Sequence, residues 1–265
     1  MNAAASPVAA QLLNVDWGVP VAPGLHACCT LRSGGVSREP WGAADGGGGA
    51  NLGLHVGDDV QAVLQNRAAL QQAMHTLSGH SVPAPAWLNQ VHGAQVVDAD
   101  TVVGTPAADA SISSGATPCV VLTADCLPVL FCDPRGHVVG AAHAGWRGLA
   151  AGVLQATVAA MRARGAQEVI AWLGPAISQP QFEVGPEVRQ AFVMALGDAA
   201  DAAFIPGKPG KLQGDLCQLA RLALAQVGVT QVAGGQWCTV SQAAQFYSYR
   251  REQVSGRFAS LIWRA

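Results

Sequence analysis

The middle of this chain is written in unbroken apolar runs rather than in alternation. Cys119-Val120-Val121-Leu122, Val129-Leu130-Phe131-Cys132 and Val138-Val139-Gly140-Ala141-Ala142 follow one another with short breaks between them. Such runs predict strands that are covered on both faces. Leu25 to Leu31, Glu168 to Leu173, Val229 to Cys238 and Phe258 to Trp263 hold further predicted strands. Pro83 and Pro85 break the chain ahead of two more, Ala86 to Val91 and Ala94 to Val97, joined around His92-Gly93.

Helical spacings lie between these runs. Asp58 or Asp59 is placed to cap a helix running to about Met74, with Val60, Val63, Leu64, Ala68 and Leu70 as its apolar stripe. Gly148 to about Arg164 is a second predicted helix, with Leu149, Val153, Val158 and Met161 for one face. Pro186 to Leu196 and Asp215 to Val227 are two more. Interleaved helices and strands predict the α/β class, with helices packed on mixed sheets in one domain. No internal repeat or mid-chain linker divides the sequence, so the domain is expected to span residues 24–265. Residues 1–23 are Ala-rich and expected to be loosely held, apart from Trp17. The run Gly46 to Gly49 predicts a flexible loop tip.

Composition narrows the partners. Half of the 265 residues are hydrophobic, 12% are charged, and the net charge is −2. That balance gives no electrostatic reason to expect nucleic acid or an anionic membrane. No apolar run approaches the roughly 20 residues that span a bilayer. No Lys or Arg precedes Arg32, so a charged signal-peptide start is not expected. The seven cysteines have no regular spacing, which predicts reduced, packed thiols and a cytoplasmic setting. Lys208 and Lys211 are the only lysines. The remaining basic residues are Arg, whose planar fork suits fixed contacts to phosphate or carboxylate.

Three residues then stand out as candidate chemistry: His92 in Gln90-Val91-His92-Gly93, Cys126 in Thr123-Ala124-Asp125-Cys126-Leu127-Pro128, and His143 in Ala142-His143-Ala144-Gly145-Trp146-Arg147-Gly148. Each falls at a predicted strand end, where α/β proteins gather functional side chains. Two imidazoles and a thiolate suit zinc, and three protein ligands leave a fourth position open for catalysis. Taken singly, each has an ordinary reading as a packed or incidental residue. Gly145-Trp146-Arg147-Gly148 opens a predicted helix, so Arg147 and the free N–H groups there form a candidate anion site. The alternative is a surface Arg at a helix start. Arg67, taken alone, suits a solvated helix face.

Together these motifs resemble the YfiH-type laccase-domain family, known variously as purine nucleoside phosphorylases and as polyphenol oxidases. The resemblance runs from about Arg32 to Trp263. It is carried by Arg32-Ser33-Gly34-Gly35-Val36-Ser37, Asn51-Leu52-Gly53, His55-Val56-Gly57-Asp58, Asn66-Arg67 and the three segments above. Gly174-Pro175-Ala176-Ile177, Phe246-Tyr247-Ser248-Tyr249-Arg250-Arg251 and Gly256-Arg257 complete it. It implies a zinc held by His92, Cys126 and His143, phosphorolysis of adenosine, inosine and methylthioadenosine, and hydrolytic deamination of adenosine. On that reading the partners are a purine nucleoside and phosphate. Asn51, Arg67, Arg147 and Arg250 are the candidates to hold them, and Asp125 or Glu183 is the candidate to move a proton. Gln181-Phe182-Glu183-Val184 departs from the Cys-Tyr-Glu-Val frequent in the family, and the four-glycine insertion is unusual.

Two enzymatic alternatives remain at this point, beside a non-catalytic metal-binding module, which the incomplete coordination disfavours. A copper-dependent polyphenol oxidase is one, since Cu(II) outcompetes Zn(II) at most nitrogen sites. Seven histidines with no His-x-His pair weigh against an ordinary multicopper enzyme. The other is an amide hydrolase that edits peptidoglycan precursors, as some bacterial relatives are linked to that role.

Overall fold

A computed structural model of the chain describes residues 10–265. Its first part forms β1 (Leu12–Asn14), β2 (Leu25–Thr30), β3 (Ser33–Ser37), α1 (Val60–Ser78), β4 (Val96–Asp98) and β5 (Ala110–Ser113). The centre forms β6 (Cys119–Thr123), β7 (Leu127–Cys132), β8 (Val139–Ala144), α2 (Trp146–Ala150), α3 (Val153–Ala163) and β9 (Ile170–Leu173). The remainder forms β10 (Glu183–Val184), α4 (Pro186–Leu196), β11 (Phe204–Pro206), β12 (Leu212–Gly214), α5 (Leu216–Gln226), β13 (Val232–Gly234), α6 (Tyr249–Glu252) and β14 (Phe258–Arg264).

The strands make a four-stranded sheet in the order β1-β2-β14-β6, a six-stranded sheet in the order β13-β9-β7-β8-β5-β4, and a small sheet β10-β12-β11. The four-stranded sheet is antiparallel; the six-stranded one is mixed, with β13 parallel to β9 and β4 parallel to β5.

The apolar runs are continuous because the two larger sheets are sandwiched. Side chains alternate across a strand, so successive residues enter different layers. Leu130 and Cys132 of β7 meet Val121, Phe258 and Ile262 of the other sheet. Their neighbours Val129 and Phe131 face the opposite way, onto Leu149 and Val153 to Met161 and onto Leu219 and Ala223 of α5. The outer face of the four-stranded sheet, through Val120, Leu261 and Trp263, packs on Leu70 and Met74 of α1. The order of layers is helix, sheet, sheet, helices. Among the described residues, no helix is long and apolar enough to cross a membrane.

Several expectations need correcting. The buried face of α1 is Val63, Asn66, Leu70 and Met74, whereas Val60 and Leu64 are exposed. The helix also continues to Ser78, where Gly79 takes up the left-handed φ of 73° that closes it. The helix expected from Gly148 to Arg164 is two pieces, α2 and α3, parted at Gly152 with φ 89°. Of the two strands expected around His92-Gly93, only β4 forms. Ala86 and Asn89 make isolated bridges, and the Gln90 side-chain amide bonds both the N–H and the C=O of Leu122 in place of a ladder. The four-glycine run is an exposed tip at its start, where a Cβ on Gly46 would meet nothing within 4 Å, and is tightly packed only at its end. A Cβ on Gly48 would lie 2.0 Å from the Gly35 carbonyl oxygen, and one on Gly49 would lie 1.9 Å from that of Trp41. Of the segment expected to be loosely held, residues 1–9 lie outside the described residues. The rest includes β1, which pairs with β2, and a buried Trp17.

Candidate metal centre

The connection from β6 to β7 is three residues long and carries the chain from one large sheet to the other. Cys126 is the last of those three. Asp125, just before it, has φ 104°, a conformation costly for any side chain. The corner is pinned from several sides. Thr239 Oγ1 and the Arg250 N–H each donate to an Asp125 carboxylate oxygen at 2.6 Å, and the Ile177 N–H donates to its carbonyl.

His143 is the penultimate residue of β8 and pairs with Pro128 at the start of β7, so strand register alone sets it beside Cys126. His92 arrives from the irregular segment ahead of β4, with φ 61°. Two of the three non-glycine residues with positive φ among the described residues therefore sit at this site. The ligand atoms of His92, Cys126 and His143 all lie within 4.8 Å of one another. Cys126 Sγ is 3.8 Å from His92 Nε2, and the two imidazole rings meet edge to face with centroids 4.8 Å apart. His143 is buried, Cys126 half-buried and His92 exposed, so the cluster is reachable from one side.

Asp109, which the sequence reading did not single out, organises the cluster from behind. It is completely buried. Its Oδ1 accepts from His143 Nδ1 at 2.8 Å and from the His92 N–H at 2.9 Å, and its Oδ2 accepts from the Gly93 N–H at 2.7 Å. The Nδ1 proton of His143 is thus committed to Asp109, which turns Nε2 toward the thiol. A carboxylate behind a histidine is the usual orienting partner of a metal ligand. A charged residue inside the run Ala107-Ala108-Asp109-Ala110 was the available signal. Gln90 was also missed; its contacts with Leu122 hold the segment that leads to His92.

The electrostatics follow from these contacts. Burial alone would raise the Cys126 thiol, but the charge and hydrogen bonds of His143, joined by those of His92, hold it at about 6. Burial alone would lower His143, and the Cys126 thiolate with Asp109 instead raises it to about 9. Burial likewise opposes ionisation of Asp109, yet the bonds from His143 and from the Gly93 and His92 N–H groups keep it below the ordinary carboxylate range. A thiolate, two imidazoles and a fixed orienting carboxylate are a donor set that fits a metal ion. Gly145 keeps the space clear. A Cβ there would lie 2.9 Å from His92 Cδ2, 3.0 Å from Cys126 Sγ and 3.5 Å from His143 Nε2.

Two cavities meet at the cluster. One, of about 430 Å³, is lined by His55, Gln90, Leu122 and Arg257, with all three cluster residues. The other, of about 490 Å³, is lined by Arg147, Glu183, Glu187, Lys211 and Arg250, with His92, Asp125 and Cys126. Tyr249 borders both. Of the residues expected to bind substrate, Arg147 and Arg250 line the second cavity. Arg147 is exposed and lies over the Trp146 ring at 4.5 Å. Arg250 spends its guanidinium on the carbonyls of Gln181 and Glu183. Arg67 is half-buried rather than solvated, bonded to the Leu52 carbonyl and lying over the Trp87 ring at 3.7 Å. Asn51 is wholly buried away from both cavities, its Oδ1 accepting from the Gly53 and Arg257 N–H groups.

The family model described as multi-copper polyphenol oxidoreductase laccase matches residues 26–265. A Pseudomonas aeruginosa protein named purine nucleoside phosphorylase is 49% identical over 95% of this chain and 97% of its own length. The Escherichia coli purine nucleoside phosphorylase YfiH is 46% identical over 96% of this chain and 98% of its own. The crystal structure of a Neisseria meningitidis protein superposes with a TM-score of 0.84 at 47% identity, covering 96% of this chain and 98% of the other. YlmD from Geobacillus stearothermophilus superposes with a TM-score of 0.82 at 28% identity, covering 98% of this chain and 99% of the other.

Proposed function

The chain belongs to the multi-copper polyphenol oxidoreductase laccase family, and from that membership and its open His-Cys-His cluster we propose that it is a zinc-dependent purine nucleoside phosphorylase that also deaminates adenosine. The observation that carries the reading is the cluster's position, with two ligands on the walls of two cavities at once. A nucleoside has two reacting regions, the glycosidic bond and the purine C6, and a junction of two cavities can seat both.

His92, Cys126 and His143 would hold the ion, which when bound supplies a Lewis-acidic charge at the junction. In phosphorolysis a phosphate oxygen forms a bond to the sugar's C1′. The C1′–N9 bond breaks with its electron pair leaving on the purine, and the proton of hydrogen phosphate ends on the base. The products are a free base and ribose 1-phosphate. Deamination instead exchanges the C6 amine for water oxygen and releases ammonia. Of the two acids offered for proton transfer, Glu183 is the better supported. Both Asp125 oxygens already accept hydrogen bonds, so Asp125 serves the corner that presents Cys126. Arg147, with Trp146 and Phe182 nearby in the second cavity, contacts the nucleoside. Reduced cysteines are consistent with action in the cytoplasm, with residues 24–265 working as one catalytic unit.

A single ion is favoured over a multicopper centre because, of the other histidines, only His55 shares a cavity with the cluster. His26 stacks on Trp263, His75 accepts from the Val82 N–H, and His137 lies beside Asp133. The deciding assay incubates metal-quantified protein with adenosine and inosine, with and without phosphate. Hypoxanthine from inosine only when phosphate is present, and inosine from adenosine regardless of phosphate, are the expected results. Catechol oxidation that appears only on copper loading, with no nucleoside turnover, would reverse the assignment. So would cleavage of an amide-linked muropeptide precursor by protein that leaves nucleosides intact.

A further inference from the structure

The two cavities differ in charge, and that difference separates the reactants. The second cavity mixes signs: Arg147, Lys211 and Arg250 share it with Asp125, Glu183 and Glu187. The first has no Asp or Glu in its lining, and its charged or protonatable groups are His55, Arg257 and the cluster itself. A dianion entering the second cavity would meet three carboxylates at close range, whereas the first has no carboxylate in its lining and its one anion is the Cys126 thiolate of the cluster.

The cations beside the first cavity are built in. Leu52 ties them together. Its carbonyl accepts from the Arg67 guanidinium, and its N–H donates to the Arg257 carbonyl. His55 follows three residues later. Burial, and then the charges of Arg257 and Arg67, lower its pKa, which marks the three groups as neighbours. The Asn51 Oδ1 fixes the Arg257 backbone, and the Arg257 side chain lies against Gly53, where a Cβ would come within 2.9 Å of its Cγ. One Arg257 nitrogen, Nη1, donates to the Ser255 and Gly256 carbonyls. Among the described residues its Nε and Nη2 make no hydrogen bond, and neither Arg257 nor Arg67 has a carboxylate within ion-pair distance. Half-buried guanidinium donors without an acid partner contribute little to stability by themselves. They suit an anion that arrives from solution.

We infer that inorganic phosphate is seated in the first cavity by His55 and Arg257, with Arg67 reinforcing the charge from behind, and that the purine lies in the second cavity beside Arg147. The inference rests on the phosphorylase reading and assigns its anionic co-substrate. Of the phosphate candidates Arg67, Arg147 and Arg250, it keeps Arg67 and moves the phosphate from the helix start at Arg147 to the first cavity.

The test uses the full-length, metal-loaded protein with phosphate and inosine varied independently. His55→Gln and Arg257→Gln are each expected to raise the KM for phosphate by about tenfold or more, the loss of one charge-assisted hydrogen bond, with the inosine KM within about threefold. Arg147→Ala is expected to do the reverse, raising the inosine KM with the phosphate KM within about twofold. His55 is exposed, so His55→Gln remains informative if Arg257→Gln fails to fold. A phosphate KM that responds to Arg147→Ala and to neither of the other two would overturn the inference and leave the phosphorylase reading standing. A wild-type protein with no phosphate-dependent turnover would remove that reading. Calorimetric titration with inorganic phosphate alone then still judges the seat. Binding that is lost in both His55→Gln and Arg257→Gln supports it, and binding absent from the wild type or unchanged in both variants overturns it.

Discussion

Cys126 and Cys132 stand at the two ends of the same strand, the first immediately before β7 and the second its last residue, and their thiols are driven in opposite directions. Cys132 lies in the layer between the two large sheets, among Val121, Val139 and Ile170. Burial pushes its thiol up, and the neighbouring Asp133 pushes further the same way. Cys126 is opposed by burial too, yet it ends at about 6 because His143 and His92 face it. Cys29 and Cys119, in the same sandwich as Cys132, are each pushed up to about 12. One residue type is therefore a packing atom at one end of the strand and a candidate metal donor just before the other. The imidazoles set the difference, since burial acts on both.

Removing each sulfur in turn is the largest test of that contrast. Cys126→Ala is expected to lose the bound metal and to lower phosphorolysis and deamination by about a hundredfold or more, because two imidazoles alone make an incomplete site. Cys132→Ala is expected to keep full metal occupancy and to destabilise the fold by about 1 kcal/mol, as a small loss of packing does. Metal analysis of both purified variants, beside thermal unfolding, checks the pair. Metal lost equally from the two would mean that the strand ends do not differ in function.

The second test reads the thiols without any substrate. In metal-free protein the folded pKa of Cys126 is depressed from an ordinary value of 9.0 to about 6, so its thiolate is populated once the pH rises past about 6. At pH 7 it is expected to alkylate about a hundredfold faster than an unperturbed thiol would if reactivity simply tracked thiolate fraction, a ceiling because a weaker base is also a weaker nucleophile. Cys132 is expected to stay silent until the protein unfolds. The reaction rate should fall as the pH drops below about 6, and added zinc should protect Cys126. Mass spectrometry of peptides labelled between pH 5 and 9 measures the midpoint. A midpoint near 9 would remove the imidazoles as its cause.

Much of this was legible beforehand, and the reasons differ by region. The apolar runs of β6, β7 and β8 announced themselves because both faces are covered, and α4 begins and ends where Pro186 and Gly197 say it should. The three candidate ligands were legible from their flanking motifs, although His143 itself lies within the fully buried strand β8. The stripe of α1 was misjudged because Asn66, a polar residue, occupies the buried face. It bonds the Val36 N–H and the carbonyls of Gly49 and Asn51, which no hydrophobic count foresees. Arg257 enters the sequence reading only through the Gly256-Arg257 motif, because what makes it a candidate is something it lacks, an acid partner. That emerges only once Leu52 and Asn51 have drawn the distant segments together.

The smallest effect, and the most diagnostic, concerns Asp109. If the Cys126 thiolate depends on a correctly turned His143, the residue that turns it should matter even though it touches no ion. Asp109→Asn keeps the size of the side chain and keeps one oxygen able to accept from His143 Nδ1. The other oxygen becomes an NH₂ group. Whichever way the amide is turned, that group faces donors: the Gly93 and Val91 N–H groups at the Oδ2 position, or the His143 Nδ1 proton and the His92 N–H at the Oδ1 position. The negative charge that helps keep His143 protonated above its ordinary range is lost as well. The expected result is a metal affinity weakened by about 10- to 100-fold, with activity restored by excess zinc. The alkylation midpoint of metal-free Cys126 should also move upward from about 6 while Cys132 remains unreactive. A variant with weakened metal binding and an unmoved midpoint would mean that Asp109 steers His92 through its backbone rather than His143 through its ring. A variant unchanged in both would make the buried carboxylate a structural anchor and leave the thiol's acidity to the two histidines alone.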